Sequence, residues 1–235
     1  MRLLFAIPFV ILACALPVSP SASEINERVK PWDEGPQDPS FLKFRNELKD
    51  IIAHKDSSAL LNLIAPEIKI DFGGGHGVAA FEKQWKLSDP KSELWPALSL
   101  VVNQGGNFDS KLLFSAPYTY SAFPSDLDSE SKVVVTSEGA ALRDQPNGGA
   151  KVIRKLDHDI LTLVGGRQYD LFVTTGAEVY VAQHKASPEI WYAVKDAKGG
   201  FGFVWAGDVR SPLDYRAFFE KRKGKWLIAT FLAGD

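Results

Sequence analysis

Cysteine is nearly absent from this sequence. The 235 residues contain one, Cys14, inside an apolar run at the start of the chain. One cysteine forms no internal disulfide, and thiol chemistry has no second candidate. Histidine is scarce as well, with four residues, His54, His76, His158 and His184. No two of them stand at a ligand spacing such as H-x-x-x-H, so no metal site is expected. An excess of charge of either sign is also missing: 27 basic against 29 acidic residues gives a formal net charge of −2. Such a chain lacks the basic footprint of a nucleic-acid binder, and charge would not hold it to an anionic bilayer. Sequence repeats and low-complexity tracts are lacking too.

What is there begins with the apolar run, residues 3–16, preceded by Arg2. It is too short to span a bilayer, which takes about 20 apolar residues, and it has the form of a secretory signal. Ser21-Ala22-Ser23 is a small-x-small cleavage site that would leave Glu24 as the new N-terminus. Lipidation of Cys14 ranks behind cleavage, because Leu12 is bulky where a lipobox has a small residue. A retained anchor ranks third. Cleavage after Ser23 removes one basic residue and no acidic one, taking the net charge from −2 to −3 and leaving 212 residues without cysteine. That length suits one large or two small domains, and the expected location is periplasmic or secreted.

Residues 24–37 are polar and proline-containing and read as a mobile leader. Asp38-Pro39 then opens a helix as N-cap and first-turn proline, with Phe41, Phe44, Leu48, Ile51 and Ile52 on one face. Ser57 is the expected cap of a shorter helix ended by Pro66. Residues 67–72 alternate Ile68, Ile70 and Phe72 inward as a half-buried strand. Residues 73–77, Gly-Gly-Gly-His-Gly, turn into a helix carrying Val78, Phe81 and Trp85. Asp89-Pro90 starts another, with Leu94, Trp95, Leu98, Val101 and Val102 as its stripe. From Gly105-Gly106 onward the chain reads as irregular or extended.

From about residue 131 the pattern changes. Residues 132–136, 151–156, 160–164, 169–174, 178–182, 190–195 and 201–205 are short runs rich in Val, Ile, Tyr, Phe, Trp and Thr, most of them separated by turn residues. That is the pattern of many short antiparallel strands. Asp196-Ala197-Lys198-Gly199-Gly200 is a hairpin loop between the last two. Asn147-Gly148-Gly149 is a second turn.

Two motifs lie in this region. The first is Ala141-Leu142-Arg143-Asp144-Gln145-Pro146, followed by Val152-Ile153-Arg154-Lys155-Leu156. The second is Trp191-Tyr192-Ala193-Val194, then Gly199-Gly200-Phe201-Gly202-Phe203-Val204. Together they resemble the bacterial SH3 (SH3b) domain, with its "L-x-V-R-x-G-P" turn and its "W-x-x-V … G-x-x-G-W-V" hairpin. Gln145 stands where the family has glycine, Phe203 replaces its second tryptophan, and residues 165–187 replace a short connection. The resemblance covers about a third of the chain. It implies a small β-barrel at 131–212 and names no ligand.

The N-terminal region, 38–130, resembles the opening of the NTF2-like α+β cone: two helices, a strand ending in a small-residue loop, then a third helix. Residues 213–235 resemble that fold's terminal hairpin, with a Lys-Arg-Lys-Gly-Lys turn before Trp226. An isolated hairpin is marginal in water, and this one is apolar on both faces. It is therefore expected to pack on the N-terminal domain, although only one clear strand is legible there. The fold class expected is α+β: a helix-rich N-terminal domain completed by a C-terminal hairpin, with an SH3b-like all-β barrel between.

Candidate chemistry is sparse. Residues 73–77 lack both the Gly-Lys-Ser/Thr ending of a P-loop and the G-x-G-x-x-G spacing of a dinucleotide site. Asp71 and His76 could pair as acid and base in a cone-like pocket, beside the simpler reading of exposed turn residues. Asp157-His158-Asp159 reads as a turn. Cysteine peptidases, which accompany SH3b modules, need a Cys–His pair, and the chain after cleavage has no cysteine; zinc amidases need a cluster of His and Asp/Glu ligands that no spacing here assembles. No G-x-S-x-G elbow is present, and a glycosidase's two carboxylates are not excluded. Aromatics remain. Most are expected in the barrel core, with Phe201, Phe203 and Trp205 on one face. Tyr192 should point opposite to Trp191, and with Tyr180 is the candidate ligand contact. The expected function is non-catalytic binding of peptidoglycan peptide or a periplasmic protein, with no cofactor. The alternative is a small-molecule binder or enzyme with its pocket near Asp71 and His76.

Overall fold

The computed structural model describes residues 28–164, 181–184 and 187–234. Residues 1–23 with Cys14, the expected strand 169–174, and Tyr180 within the expected strand 178–182 lie outside the described residues. The chain is α+β, with two sheets and two main hydrophobic cores. No helix among the described residues is long and apolar enough to cross a membrane.

The first unit begins with α1, Pro39–His54, whose N-cap Asp38 accepts from the amides of Ser40 and Phe41. Lys55 ends it in the left-handed conformation. Helix α2, Ser57–Leu61, is capped by Asp56 and not by Ser57. The Ser57 hydroxyl instead donates to the Leu87 carbonyl. Strand β1 spans Ile64–Lys69, earlier than the alternation suggests, and Pro66 lies within it. The proline is tolerated because β1 is an edge strand. Helices α3, Val78–Trp85, and α4, Leu94–Asn103, follow. Strands β2, Asn107–Ser110, and β3, Leu113–Ala116, then form an antiparallel pair. Helix α5 is the single turn Tyr118–Ser121.

The chain ends in the hairpin β12, Arg216–Arg222, and β13, Lys225–Leu232. Lys223 and Gly224 turn it with φ of 48° and 81°, the double positive φ of a type I′ connection. This hairpin forms the middle of the first sheet, in the order β1-β13-β12-β3-β2. Phe219, Trp226, Ile228 and Phe231 join Phe41, Phe44, Trp85 and Leu98 in one core. Phe41 touches five rings, Phe44, Phe108, Phe114, Phe219 and Trp226, at centroid distances of 4.2–5.9 Å.

The second unit holds the intervening strands: β4 Lys132–Val135, β5 Ala141–Arg143, β6 Val152–Lys155, β7 Ile160–Leu163, β8 Val181–His184, β9 Ser187–Lys195, β10 Phe201–Trp205 and β11 Val209–Arg210. Among the described residues their path is β11-β4-β7-β9-β10-β5-β6, with β8 pairing to β9 off that path. The ends of that path, β11 and β6, do not pair with each other, so this is an open sheet and not the closed barrel expected. Closure needs a bonding partner along both edges, and β11 has only two residues to offer.

The segment 28–37, expected to be mobile, is tied down across both units. Val29 is buried with Tyr118, Val134 and Ile160, and its amide donates to the His158 carbonyl at 3.0 Å. Arg28 pairs with Asp157 at 3.1 Å. Further on, Asp33 grips buried Arg45 through two hydrogen bonds of 2.6 and 2.9 Å, and the Glu34 carboxylate accepts the Phe108 amide at 2.9 Å. The Glu34 amide donates to the Gly106 carbonyl. Gly106 allows the close packing: a Cβ there would lie 2.1 Å from the Ser115 carbonyl oxygen.

Candidate functional site

Asp71 and His76 lie in the turn between β1 and α3. Asp71 accepts the Gly75 amide at 2.7 Å, and His76 Nδ1 bonds the Gly74 carbonyl at 2.7 Å. Each side chain stabilises its own turn. Among the described residues no hydrogen bond joins one to the other. Both are exposed. Phe72, expected inward, is 56% exposed and lies 5.4 Å from the Arg216 guanidinium. The strand has ended at Lys69, so alternation no longer governs Phe72.

The triplet 157–159 is structural. Asp159 is buried and accepts from Arg154 at 3.0 Å. Arg154 also donates to Asp196 at 2.9 Å, pinning the β9–β10 turn. Burial pushes the Asp196 carboxyl up, but hydrogen bonds from Arg154 and the Gly200 and Lys198 amides outweigh it and hold the group below its ordinary range. The basic run at the β12–β13 turn is only partly solvated. Lys221 donates to Ser40 at 2.8 Å over the Trp226 ring, and Arg222 pairs with Glu220 and Glu67.

The aromatic residues of β9 and β10 define the face of interest. Tyr192 is 8% exposed and belongs to the second core with Leu142, Val194 and Val204. Its expected place in a groove is therefore reversed. Trp191 and Trp205 are opposite each other across the β9–β10 pair, and Phe203 is opposite Arg143 of β5. Strand alternation puts Trp191, Phe201, Phe203, Trp205 and Arg143 on the side away from that core. Phe201 is 50% exposed and Trp205 44%, whereas Trp191 and Phe203 are buried, so this face is covered at Trp191 and Phe203 and open at Phe201 and Trp205. Phe201 and Phe203 meet edge to face at 5.5 Å.

A cleft of about 240 Å³ opens on this face between Trp191, Trp205, Arg143 and Asp208, floored by Gly139 and Gly148. The Trp205 ring lies against Gly207, where a Cβ would approach the indole to 2.5 Å. Arg143 anchors the loop after β5 by donating to the Ala150 carbonyl at 2.7 Å. The cleft thus offers one exposed indole, Trp205, set against the buried Trp191, with one guanidinium and one carboxylate. The alternation in β10 locates the paired faces, but residue types alone do not tell which face is inside. Gly202 and Val204 were the available signal, since a core face bearing glycine leaves room for Leu142, which would touch a Cβ at Gly202.

Comparison of the chain with protein-family models, with curated proteins and with solved structures finds no match.

Proposed function

We propose that this chain is an exported, non-catalytic binding protein of the cell envelope, and that the outer face of β9 and β10 is its recognition surface. The ligand class is a peptide of the cell wall, or an envelope protein presenting an equivalent segment. The observation that carries this reading is Trp205, large, 44% exposed and set beside Trp191 and Arg143 in a cleft. An exposed indole supplies flat apolar contact area at low entropic cost. The Arg143 guanidinium matches a peptide carboxylate or carbonyl, and Asp208 matches an amine or amide N–H. Aromatic-lined grooves are a recurrent way to hold extended peptides. The resemblance of 131–212 to SH3b domains supports the same reading, and the terminal hairpin's place beside α1 and β1 supports the NTF2-like comparison for the rest.

The experiment is co-sedimentation of the mature protein with purified peptidoglycan, and in parallel with envelope extract. Retention that falls when Trp205 or Arg143 is replaced by alanine, with the melting temperature kept, supports the proposal. Equal retention of these variants counts against it. Mass spectrometry of the exported protein tests the leader: a mature chain starting at Glu24 is expected, and an acylated Cys14 at the N-terminus would overturn the soluble form.

A further inference from the structure

The Lys-Arg-Lys-Gly-Lys turn before Trp226 has no part in the recognition face of β9 and β10. Both strands of its hairpin are internal to the first sheet, so its lysines guard no open sheet edge. Two of them line a cleft instead. The cleft holds about 750 Å³, and its wall includes Asp38, Phe108, Lys111, Leu112, Lys221 and Lys223. Three ends of the fold meet there: the start of α1, the turn between β2 and β3, and the turn between β12 and β13. The Lys221 amide donates to the Leu112 carbonyl at 2.8 Å, which sets the two turns side by side.

The wall carries three ammonium groups against one carboxylate. That carboxylate is already committed. Asp38 accepts from the Ser40 hydroxyl and from the amides of Ser40 and Phe41, and it is the anion of Lys221 at 3.4 Å. The first amides of α1 are therefore taken and offer nothing to a ligand. Among the described residues neither Lys111 nor Lys223 makes an ion pair, and both are exposed. Beside these cations the wall is apolar. Leu112 is 58% exposed. The half-buried Phe108 ring lies 5.6 Å from Phe41 and 6.1 Å from Trp226, and so carries the first core out to the cleft.

A small polar anion would answer the lysines and leave Leu112 and Phe108 in water. A neutral apolar molecule would cover those side chains while drawing two unpaired ammonium groups out of water, which costs free energy. A molecule with an anionic head and an apolar body answers both. The volume is within the usual range of small-molecule sites. We propose that this cleft binds a single-chain amphiphile with an anionic head, of the fatty-carboxylate class. The head meets Lys111 and Lys223, and the chain lies over Leu112 and Phe108. The site belongs to the first unit and shares no residue with the Trp205 cleft of the second.

The test is calorimetric titration of residues 24–235 with decanoate, with acetate and decanol standing for the head and the chain alone. Decanoate is expected to bind at least tenfold more tightly than either. Lys111→Gln combined with Lys223→Asn removes both free charges, and asparagine tolerates the positive φ of residue 223. This double variant should weaken decanoate binding tenfold or more at an unchanged melting temperature. Leu112→Ser should weaken it severalfold. Sedimentation with phosphatidylglycerol vesicles separates a free amphiphile from a bilayer surface, and the native sequence should stay in the supernatant. Four outcomes overturn the proposal: no decanoate binding at millimolar concentration, equal affinity for decanoate and either of its halves, decanoate binding that survives the double variant, or capture by the vesicles.

Discussion

Tyr192 and Trp205 belong to paired strands, and a single step of alternation separates their fates. Tyr192 fills the second core, and Trp205 faces outward over Gly207. Replacing Tyr192 by alanine should therefore destabilise the second unit by about 3–5 kcal/mol. Trp205→Ala, at an exposed position, should cost far less. Chemical denaturation of both variants checks this, and equal losses would contradict the assignment of faces. That Trp191 and Tyr192 point opposite ways was legible in the sequence. That both are buried was not, because alternation separates the two faces without telling what covers each. Asp196 carries a pH signature. Its folded carboxyl is held below the ordinary value of about 3.9. A depressed folded value means stability that is present above the unfolded value and is lost as pH falls through the folded one. Asp38 acts in the same direction, chiefly through the Ser40 hydroxyl. Melting temperature should accordingly drop as pH falls below about 4. Asp196→Asn should be less stable than the native chain at pH 7 and show a shallower acid decline. An unchanged acid limb in that variant would show that Asp196 contributes nothing.

At the scale of elements, helices were the most legible. Asp38-Pro39 and the stripe Phe41, Phe44, Leu48, Ile51 and Ile52 define α1, and the five apolar residues of α4 are all buried. Strands β2 and β3 were not legible. Each has four residues, and β2 reads Asn-Phe-Asp-Ser, too short and too polar for alternation to register. Without them the first sheet could not be foreseen, and the terminal hairpin had no visible partner. Composition alone presents 28–37 as mobile, and its fixation rests on partners remote in sequence: Arg45, Gly106, Phe108 and Asp157. Removing Asp33 leaves the buried Arg45 guanidinium without its anion. Asp33→Ala is expected to cost roughly 1.5–3 kcal/mol, near the low end because the aspartate side chain is 37% exposed and water screens the pair. A double-mutant cycle with Arg45→Met measures the coupling, and additive losses would show that the pair is not a latch.

At the scale of the molecule, the chain leaves its first unit after α5, builds the second, and returns to complete the first. β13 lies between β1 and β12, and β12 lies between β13 and β3. The hairpin supplies the middle of the sheet, with Phe219 and Trp226 in its core. Deleting 213–235 should therefore abolish the cooperative helical melt of the N-terminal unit, while residues 130–212 retain strand structure by themselves. Circular dichroism of the two fragments decides this; a 24–212 fragment that melts as sharply as the mature chain would contradict it. The central claim, however, is that the outer face of β9 and β10 recognises the envelope. Its most direct measurement is the affinity of residues 24–235 for purified peptidoglycan, native sequence against Trp205→Ala, with melting temperatures recorded alongside. The account predicts a loss of tenfold or more in affinity with little change in melting temperature. Undiminished binding by a folded Trp205→Ala protein would contradict it.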